Sequence, residues 1–391
     1  MTNICIVAGA RPNFIKVAPI IWAVEKLADQ QTTRLADQQT IRQADQQAII
    51  QADQQVTYNL VYTGCRDDKT LEPSLFDDLS IPAPQHFLNA NSNSLNEITG
   101  HVMGEFEHYL DSHPTDVVIV VDDLASTMAV AIVAKKRGIK LAHLVAGTRS
   151  FDISMPKEVN RLVIDGLSDL LFTAGAGASS IVTREGADTS NIYMVGNILL
   201  DTLRHSMTRM VKPVAIEGME SMRYLVFTLN RKALIADTQW LRQAMTTIME
   251  TVAAYDHADA PLQVVAPLRG EARQVIEQMG IKSERLHIIS PLSYLEFVWL
   301  TSHAMGIITD SGNVAEEATF NDVPCITLNS YTEHIETVTL GTNRLVGSDC
   351  ELLSKSIREI LQGEWRHATL PDRWDGRTAE RILQILVRQQ S

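Results

Sequence analysis

The 391-residue chain is short of cysteine, of basic charge and of long apolar runs, and each shortage closes off a class of function. Cys5, Cys65, Cys325 and Cys350 stand far apart with no Cys-x-x-Cys spacing, which fits neither a disulfide framework nor a zinc site. They read as buried apolar residues. Lys and Arg number 34 against 47 Asp and Glu, a formal net charge of −13, so the chain lacks the concentrated basic surface that a nucleic acid requires. The most apolar stretch, Val117 to Ala134, is interrupted by Asp122 and Asp123 and falls short of a membrane span. Met1 to Ala10 lacks the basic start and cleavage pattern of a signal peptide, which predicts a cytoplasmic protein. His143 has no partner at metal-ligand spacing, so it reads as a satisfied interior residue; no metal and no cofactor is expected.

What the chain does have is 45% hydrophobic and 21% charged residues, enough for a packed core and in proportion for two domains. Asn3 to Ala8 is an apolar strand, Gly9-Ala10-Arg11-Pro12 a turn, and Phe14 to Leu27 repeats apolar residues at helical spacing. Arg11 and Lys16 put two cations beside the first strand's carboxyl end, where open α/β sheets bind ligands, although Lys16 also reads as a solvated helix residue. Strands at Asn59 to Tyr62, Val117 to Val121 and Lys140 to Leu144 then alternate with helices at Leu95 to Leu110 and Ser126 to Arg137. A second alternating set starts at Arg223 to Thr228 and continues through Gln239 to Ala253, Leu262 to Ala266, Glu271 to Met279, His287 to Ile289, Tyr294 to Ser302 and Met305 to Thr309. Apolar strands without polar alternation suit parallel sheets covered on both faces, so the fold class is α/β with two doubly wound, Rossmann-like domains. The boundaries are 1–200 for the first, with the closing helix in 370–391 crossing back to it, and 201–369 for the second.

Between the first helix and the next strand, Ala-Asp-Gln-Gln recurs at Ala28, Ala36, Ala44 and Ala52. A period of eight matches no coiled-coil repeat and the unit is too short for a solenoid module, so 28–57 reads as a low-complexity, solvent-exposed insertion that prolongs the first helix.

One motif carries chemistry directly. Gly306-Ile307-Ile308-Thr309-Asp310-Ser311-Gly312-Asn313 runs into Val314-Ala315-Glu316-Glu317-Ala318, so a strand breaks at a small-residue turn and a helix starts at once. Ser311 is placed to cap that helix, the turn's backbone N–H groups to meet phosphate oxygens, and Glu317, almost two turns in, to reach a ribose hydroxyl pair.

Taken together with Gly9-Ala10-Arg11-Pro12-Asn13-Phe14-Ile15-Lys16, Ala146-Gly147-Thr148-Arg149-Ser150, Glu158-Val159-Asn160-Arg161 and Val195-Gly196-Asn197, this motif makes the chain resemble the non-hydrolysing UDP-N-acetylglucosamine 2-epimerases. The resemblance implies the B-type glycosyltransferase-like architecture, two domains facing a cleft, and a homodimer formed through the N-terminal domain. It implies UDP or a UDP-sugar as ligand. Ser311, Gly312, Asn313 and Glu317 would hold phosphate and ribose, Phe297 would lie beside the uracil, and His334 would bond a phosphate. Arg11, Lys16, Glu158 and Arg161 would face the sugar-phosphate side.

The family removes a sugar C2 proton and expels UDP from C1, which calls for groups that take and return protons. Of its four such positions, the first is Asp123 here, while the Glu of its His-Val-Glu-Ala-Gly-Leu-Arg segment falls on Val145. The first Glu of its Pro-Glu-Glu motif falls on Lys157, and the His opening its His-Arg-Arg-Glu motif falls on Asn230. Loss of one general acid or base costs about 10²- to 10⁴-fold. Glu to Lys changes the local charge by two units and His to Asn removes a titrating group, so the candidate catalytic set of Asp123, Lys157 and Asn230 favours holding a diphosphate over turning it over. Asp123 also reads as the N-cap of the helix after it, with Asp122 as the working acid, and Lys157 also reads as a solvated residue near Glu158. Cys65-Arg66 stand where many bacterial members have Gln-His in a site for a second, activating UDP-sugar, so such activation is not expected. Three classes stay open: an epimerase-related enzyme with reduced, lost or changed activity, a glycosyltransferase-like enzyme, and a non-catalytic UDP-sugar binder.

Overall fold

The structure, a computed structural model, describes residues 2–38, 56–218, 223–255, 261–281 and 283–389. It divides into two compact units, Met1–Thr202 with Asp372–Ser391, and Leu203–Pro371. The first unit runs β1 (Thr2–Ala8), α1 (Arg11–Gln38), β2 (Val56–Tyr62), α2 (Pro73–Leu79), β3 (His86–Phe87), α3 (Leu95–Ser112) and β4 (Val117–Val121). It continues through α4 (Ala125–Lys136), β5 (Lys140–Ala146), α5 (Pro156–Leu167), β6 (Leu170–Thr173), α6 (Ala176–Arg184), β7 (Ile192–Met194) and α7 (Ile198–Ser206), inside which the boundary between the units falls.

The seven strands are ordered β3-β2-β1-β4-β5-β6-β7 and every pair is parallel. The order reverses between β1 and β4, the switch point past whose carboxyl ends doubly wound sheets bind ligands. Covering both faces explains the composition: β4 reads Val-Val-Ile-Val-Val and all five residues are buried. On one face Val102 and Phe106 of α3 pack against Val118, Val120 and Leu141.

The first helix is longer than its apolar periodicity predicts. It starts at Arg11 and extends to Gln38, taking in the first Ala-Asp-Gln-Gln unit and most of the second, because Ala and Gln cost little in a helix. The remaining repeat units, and with them the expected exposed insertion, lie outside the described residues.

The second unit repeats the plan. It runs β8 (Arg223–Phe227), α8 (Lys232–Ala236), α9 (Thr238–Ala254), β9 (Leu262–Pro267), α10 (Gly270–Gln278), β10 (Leu286–Ile289) and α11 (Tyr294–Ser302). Then follow β11 (Gly306–Thr309), α12 (Gly312–Phe320), β12 (Cys325–Thr327), α13 (Ile335–Thr339), β13 (Asn343–Leu345) and α14 (Cys350–Gln362). Its all-parallel order, β10-β9-β8-β11-β12-β13, reverses between β8 and β11. The expected α/β class with two Rossmann-like domains is therefore what the chain adopts. Of the cysteines, Cys5 and Cys325 are buried, while Cys65 and Cys350 are only half-buried. Among the described residues no helix is long and apolar enough to cross a membrane.

The closing helix α15 (Thr378–Arg388) packs on α1 in the first unit, and Asp201 of α7 holds its start. Asp201 Oδ1 accepts from the Thr378 N–H at 3.0 Å and Oδ2 from the Ala379 N–H at 2.8 Å, which satisfies two of the amides that a helix leaves open. Gly196 nearby has φ 104°, and a Cβ there would stand 2.1 Å from the Arg373 carbonyl oxygen, so only glycine fits. Burial pushes the Asp201 carboxyl up to about 6, against the two backbone donors that favour its charge. A carboxyl raised in the folded state stabilises most below its unfolded value and loses that contribution as pH climbs through 6. Measured by urea denaturation, the unaltered protein should therefore lose about 1 kcal/mol relative to Asp201→Asn between about pH 5 and 7.5. A difference independent of pH would refute the assignment.

Candidate functional site

In the first unit the site forms where β1, β4 and β5 end. After Val121 the chain turns at Asp122, whose φ of 59° is left-handed, a region that Asp tolerates better than most residues. Its carboxylate takes the Lys16 ammonium at 2.6 Å and the Asn13 side-chain N–H at 2.9 Å, while Asn13 Oδ1 accepts the Gly9 and Ala10 amides at 2.9 and 3.0 Å. Lys16 is thus buried on an ion pair, which corrects its reading as a solvated helix residue. The apolar stripe of α1 marks which positions face inward but not that a cation among them meets a carboxylate from β4.

Asp123 is buried as well. Arg161 grips it with Nε at 2.8 Å and a second guanidinium nitrogen at 2.6 Å, and Lys157 Nζ stands 3.3 Å from its other oxygen. Helix α4 has Leu124 at its N-cap with no side-chain bond, so Asp123 is not a cap. Lys157 joins Asp123 rather than the surroundings of Glu158, because Lys157 and Arg161 lie one helical turn apart on α5. Glu158 accepts from the Ser150 N–H and hydroxyl, both 2.9 Å, from the Phe151 N–H at 3.0 Å and from Arg161 at 3.1 Å. It ties the loop after β5 to the start of α5.

Beneath these lies a buried chain that the sequence did not reveal. His143 on β5 meets Asp165 at 2.6 Å through Nδ1 and the Asp122 carbonyl oxygen at 3.0 Å through Nε2, so it is indeed a satisfied interior histidine. Asp165 also accepts from Arg149 at 2.7 Å and from the Gly147 N–H at 3.1 Å, and Arg149 goes on to Glu185. Asp165 and Glu185 carry no motif; their only signal is an acid on the inward face of an amphipathic helix, or just past a helix end. Between His143 and Gly147 the pairing of β5 with β6 shifts register at Val145, whose φ is 67°. A β-branched residue in that region is strained, by about 1–2 kcal/mol.

Burial alone would raise the carboxyls of Asp123 and Asp165, but facing cations outweigh it and hold both below the ordinary range: Lys157 and Arg161 for Asp123, His143 and Arg149 for Asp165. Glu158 is depressed likewise, its burial overcome by the amide and hydroxyl donors of Ser150 and Phe151 and by Arg161. A cavity of about 420 Å³ opens past the ends of β1 and β2, lined by Gly9, Tyr62, Thr63, Cys65, Asp68 and Leu124 among others, with none of the cluster's own side chains in its lining.

In the second unit, β11 delivers Asp310, 2% exposed, past its end. Asp310 Oδ2 accepts the backbone N–H groups of Asn230 at 2.7 Å and Arg231 at 2.5 Å. The Asn230 side chain is exposed at the β8 end of this anchor. Ser311 occupies the N-cap position of α12, but its hydroxyl makes no cap bond; the Thr309 hydroxyl accepts the Ser311 N–H at 3.0 Å instead. The expected Ser311 cap is therefore corrected, and the hydroxyl stays with the helix-end amides as a donor set. Gly312 leaves room for the His334 ring, itself 2.8 Å from Glu316: a Cβ at 312 would stand 2.8 Å from that ring and push it aside. Glu317 is buried and accepts from the Tyr294 hydroxyl at 3.1 Å, and Phe297 packs half-buried against the apolar cluster to which Val314, Ala315 and Ala318 belong. Ser311, Gly312, Asn313, Glu317, Phe297 and His334 thus gather around one helix start. Arg11, Lys16, Asp123, Lys157, Glu158 and Arg161 belong to the first unit.

Two all-parallel Rossmann-type sheets, one presenting an open helix start and the other paired carboxylates among cations, define a protein of the B-type glycosyltransferase-like class. A family model described as UDP-N-acetylglucosamine 2-epimerase matches residues 48–387, and the chain belongs to that family. It is 31% identical to the UDP-N-acetylglucosamine 2-epimerase of Methanocaldococcus jannaschii, over 98% of both chains. It is also 31% identical to the UDP-2,3-diacetamido-2,3-dideoxy-D-glucuronate 2-epimerase of Pseudomonas aeruginosa, over 92% of both. A crystal structure of the M. jannaschii enzyme in complex with UDP-GlcNAc and UDP superposes with a TM-score of 0.80 at 29% identity, covering 99% of this chain and 100% of that one.

The two cations on Asp123 differ in burial, which sets their weight. Arg161→Met takes the buried guanidinium from two buried carboxylates, leaving Asp123 only the exposed Lys157 and Glu158 only its Ser150 and Phe151 donors, and should destabilise by about 3 kcal/mol. Lys157→Met removes an ammonium whose side chain is 64% exposed and should cost under about 1 kcal/mol. Urea midpoints at pH 7.5 check both, and equal losses would contradict the burial argument.

Proposed function

We propose that the protein binds UDP or a UDP-sugar and that its epimerase chemistry is reduced, lost or changed. The nucleotide half rests on α12, whose first-turn amides, with Ser311, Gly312 and Asn313 half-buried around them, form a ready anion site. Glu317, steadied by Tyr294, supplies the ribose acceptor, Phe297 the apolar surface for uracil, and His334 a donor to phosphate. In the first unit, Arg11, Lys16, Glu158 and Arg161 attend the sugar-phosphate side, and the cavity beside Leu124 offers room for the hexose.

One observation carries the catalytic half: Asp123, the carboxylate that stays in the proton-transfer set, is gripped by both Arg161 and Lys157. A carboxylate held ionised by two cations is a weak base, and Val145 and Asn230 cannot take a proton in its stead. Phe151, Ile153 and Leu162 leave apolar side chains exposed on and before α5, which supports a homodimer through this unit.

UDP at saturating concentration should raise the melting temperature of the unaltered protein, and Gly312→Ala should weaken that effect about tenfold in apparent affinity by displacing His334. Deuterium uptake at C2 of UDP-N-acetylglucosamine in D₂O should be slow, and faster by about 10² or more once Val145→Glu, Lys157→Glu and Asn230→His are combined. Rapid uptake by the unaltered protein would overturn the reading of impaired chemistry. UDP release that appears only with an added acceptor would replace it with glycosyl transfer.

A further inference from the structure

We propose that His143 is a positioning residue: a buried imidazole that donates from both ring nitrogens, clamps the Asp122 turn and thereby aims the Asp123 carboxylate. Its two partners can only accept. The Asp122 carbonyl oxygen, 3.0 Å from Nε2, bears no proton, and the Asp165 carboxylate, 2.6 Å from Nδ1, already receives a guanidinium and a backbone amide. A neutral imidazole has one N–H, so it would leave one of these contacts as acceptor against acceptor inside a site where His143 is 2% exposed. With both nitrogens protonated, each contact is a hydrogen bond and Asp165 is the counter-ion. The charged groups around the ring are then accounted for: Asp165 from α5, Asp122 with Lys16 from β4 and α1, and Arg149 with Glu185 behind Asp165.

The clamp matters because of what hangs from it. Asp122 sits at a left-handed φ and is fixed from two directions, its carbonyl by His143 and its carboxylate by Lys16 and Asn13. Asp123 follows directly, with its own carbonyl taken by Asn160 at 2.8 Å and its carboxylate by Arg161 and Lys157. Lys157, Asn160, Arg161 and Asp165 all belong to α5, so the His143–Asp165 contact is a further tie between that helix and the end of β4. Its loss lets α5 and the turn move apart, and the cations on Asp123 loosen.

The role inferred for Asp123 rests on the proposed function, but the decisive readouts do not. In ¹⁵N-resolved spectra of the unmodified protein both His143 ring nitrogens should carry protons at pH 7; one bare nitrogen overturns the proposal. In His143→Gln the titration midpoint of the Asp123 carboxyl, followed by its ¹³C shift, should rise by about half a unit or more as the ion pairs loosen. A folded variant with an unchanged midpoint also overturns it, and if the variant fails to fold the ring measurement still decides. Failure of UDP to bind the unmodified protein ends the nucleotide reading alone, since neither His143 readout involves a ligand.

Discussion

Two adjacent carboxylates, half-buried Asp122 and buried Asp123, stand at the end of a wholly apolar strand, and the loops of the first unit are organised around giving both of them partners. An unpaired buried carboxylate costs several kcal/mol, so each must meet a cation or several donors. Lys16 and Asn13 come from α1, and Lys157 and Arg161 from α5, so satisfying the pair also fixes where those two helices begin relative to the sheet. The Gly9–Ala10 turn follows, because Asn13 holds its amides. Without the carboxylates the turn after β4 would keep only its carbonyl ties, Asp122 to His143 and Asp123 to Asn160.

The second unit solves the same geometrical problem with a milder version of the same device. There too the strand beyond the switch, β11, hands over an aspartate at its carboxyl end, and Asp310 reaches to the loop after the unit's first strand through the Asn230 and Arg231 amides. The difference lies in the donors. Backbone amides fix Asp310 without adding a cation, which leaves the next turn free to be small, uncapped by Ser311 and open at the helix start. The first unit sets charge against charge at its strand ends, while the second fixes its aspartate with neutral N–H groups.

How much of this could be read in advance depended on the range of the interaction. The all-valine-and-isoleucine strand at Val117–Val121 and the helix at Tyr294–Ser302 follow from local pattern and fall where periodicity puts them. Strands β3, β6, β7, β12 and β13 escaped because two to four residues show no period by themselves, whereas β10 and β11, four residues each, were legible from their place in the strand-helix alternation. The turn at Gly306–Ala318 was legible as strand, small residues and helix, since all its parts are contiguous, yet even there Thr309 rather than Ser311 proved the local acceptor. Pairs such as His143 with Asp165, or Lys16 with Asp122, join residues whose proximity only the parallel sheet creates. A cation on an inward helix face looks like an error until the carboxylate opposite is known.

The changed positions make physical sense together. Val145 keeps a left-handed, register-shifting backbone that valine does not favour, so the framework there is imposed by its surroundings, by the Gly147 amide on Asp165 and the Thr148 hydroxyl on the Val145 carbonyl. Lys157, on α5, adds its charge to that of Arg161 at the Asp123 carboxylate. Base strength and anion affinity pull in opposite directions at such a site. Each cation that lowers the pKa of Asp123 makes it slower to take a proton from carbon, while an exposed ammonium beside it attracts a departing or arriving diphosphate. The function proposed for this chain, holding a nucleotide with little turnover, rests on this opposition: Arg161 and Lys157 keep Asp123 below the ordinary carboxylate range, where it is a poor acceptor of protons.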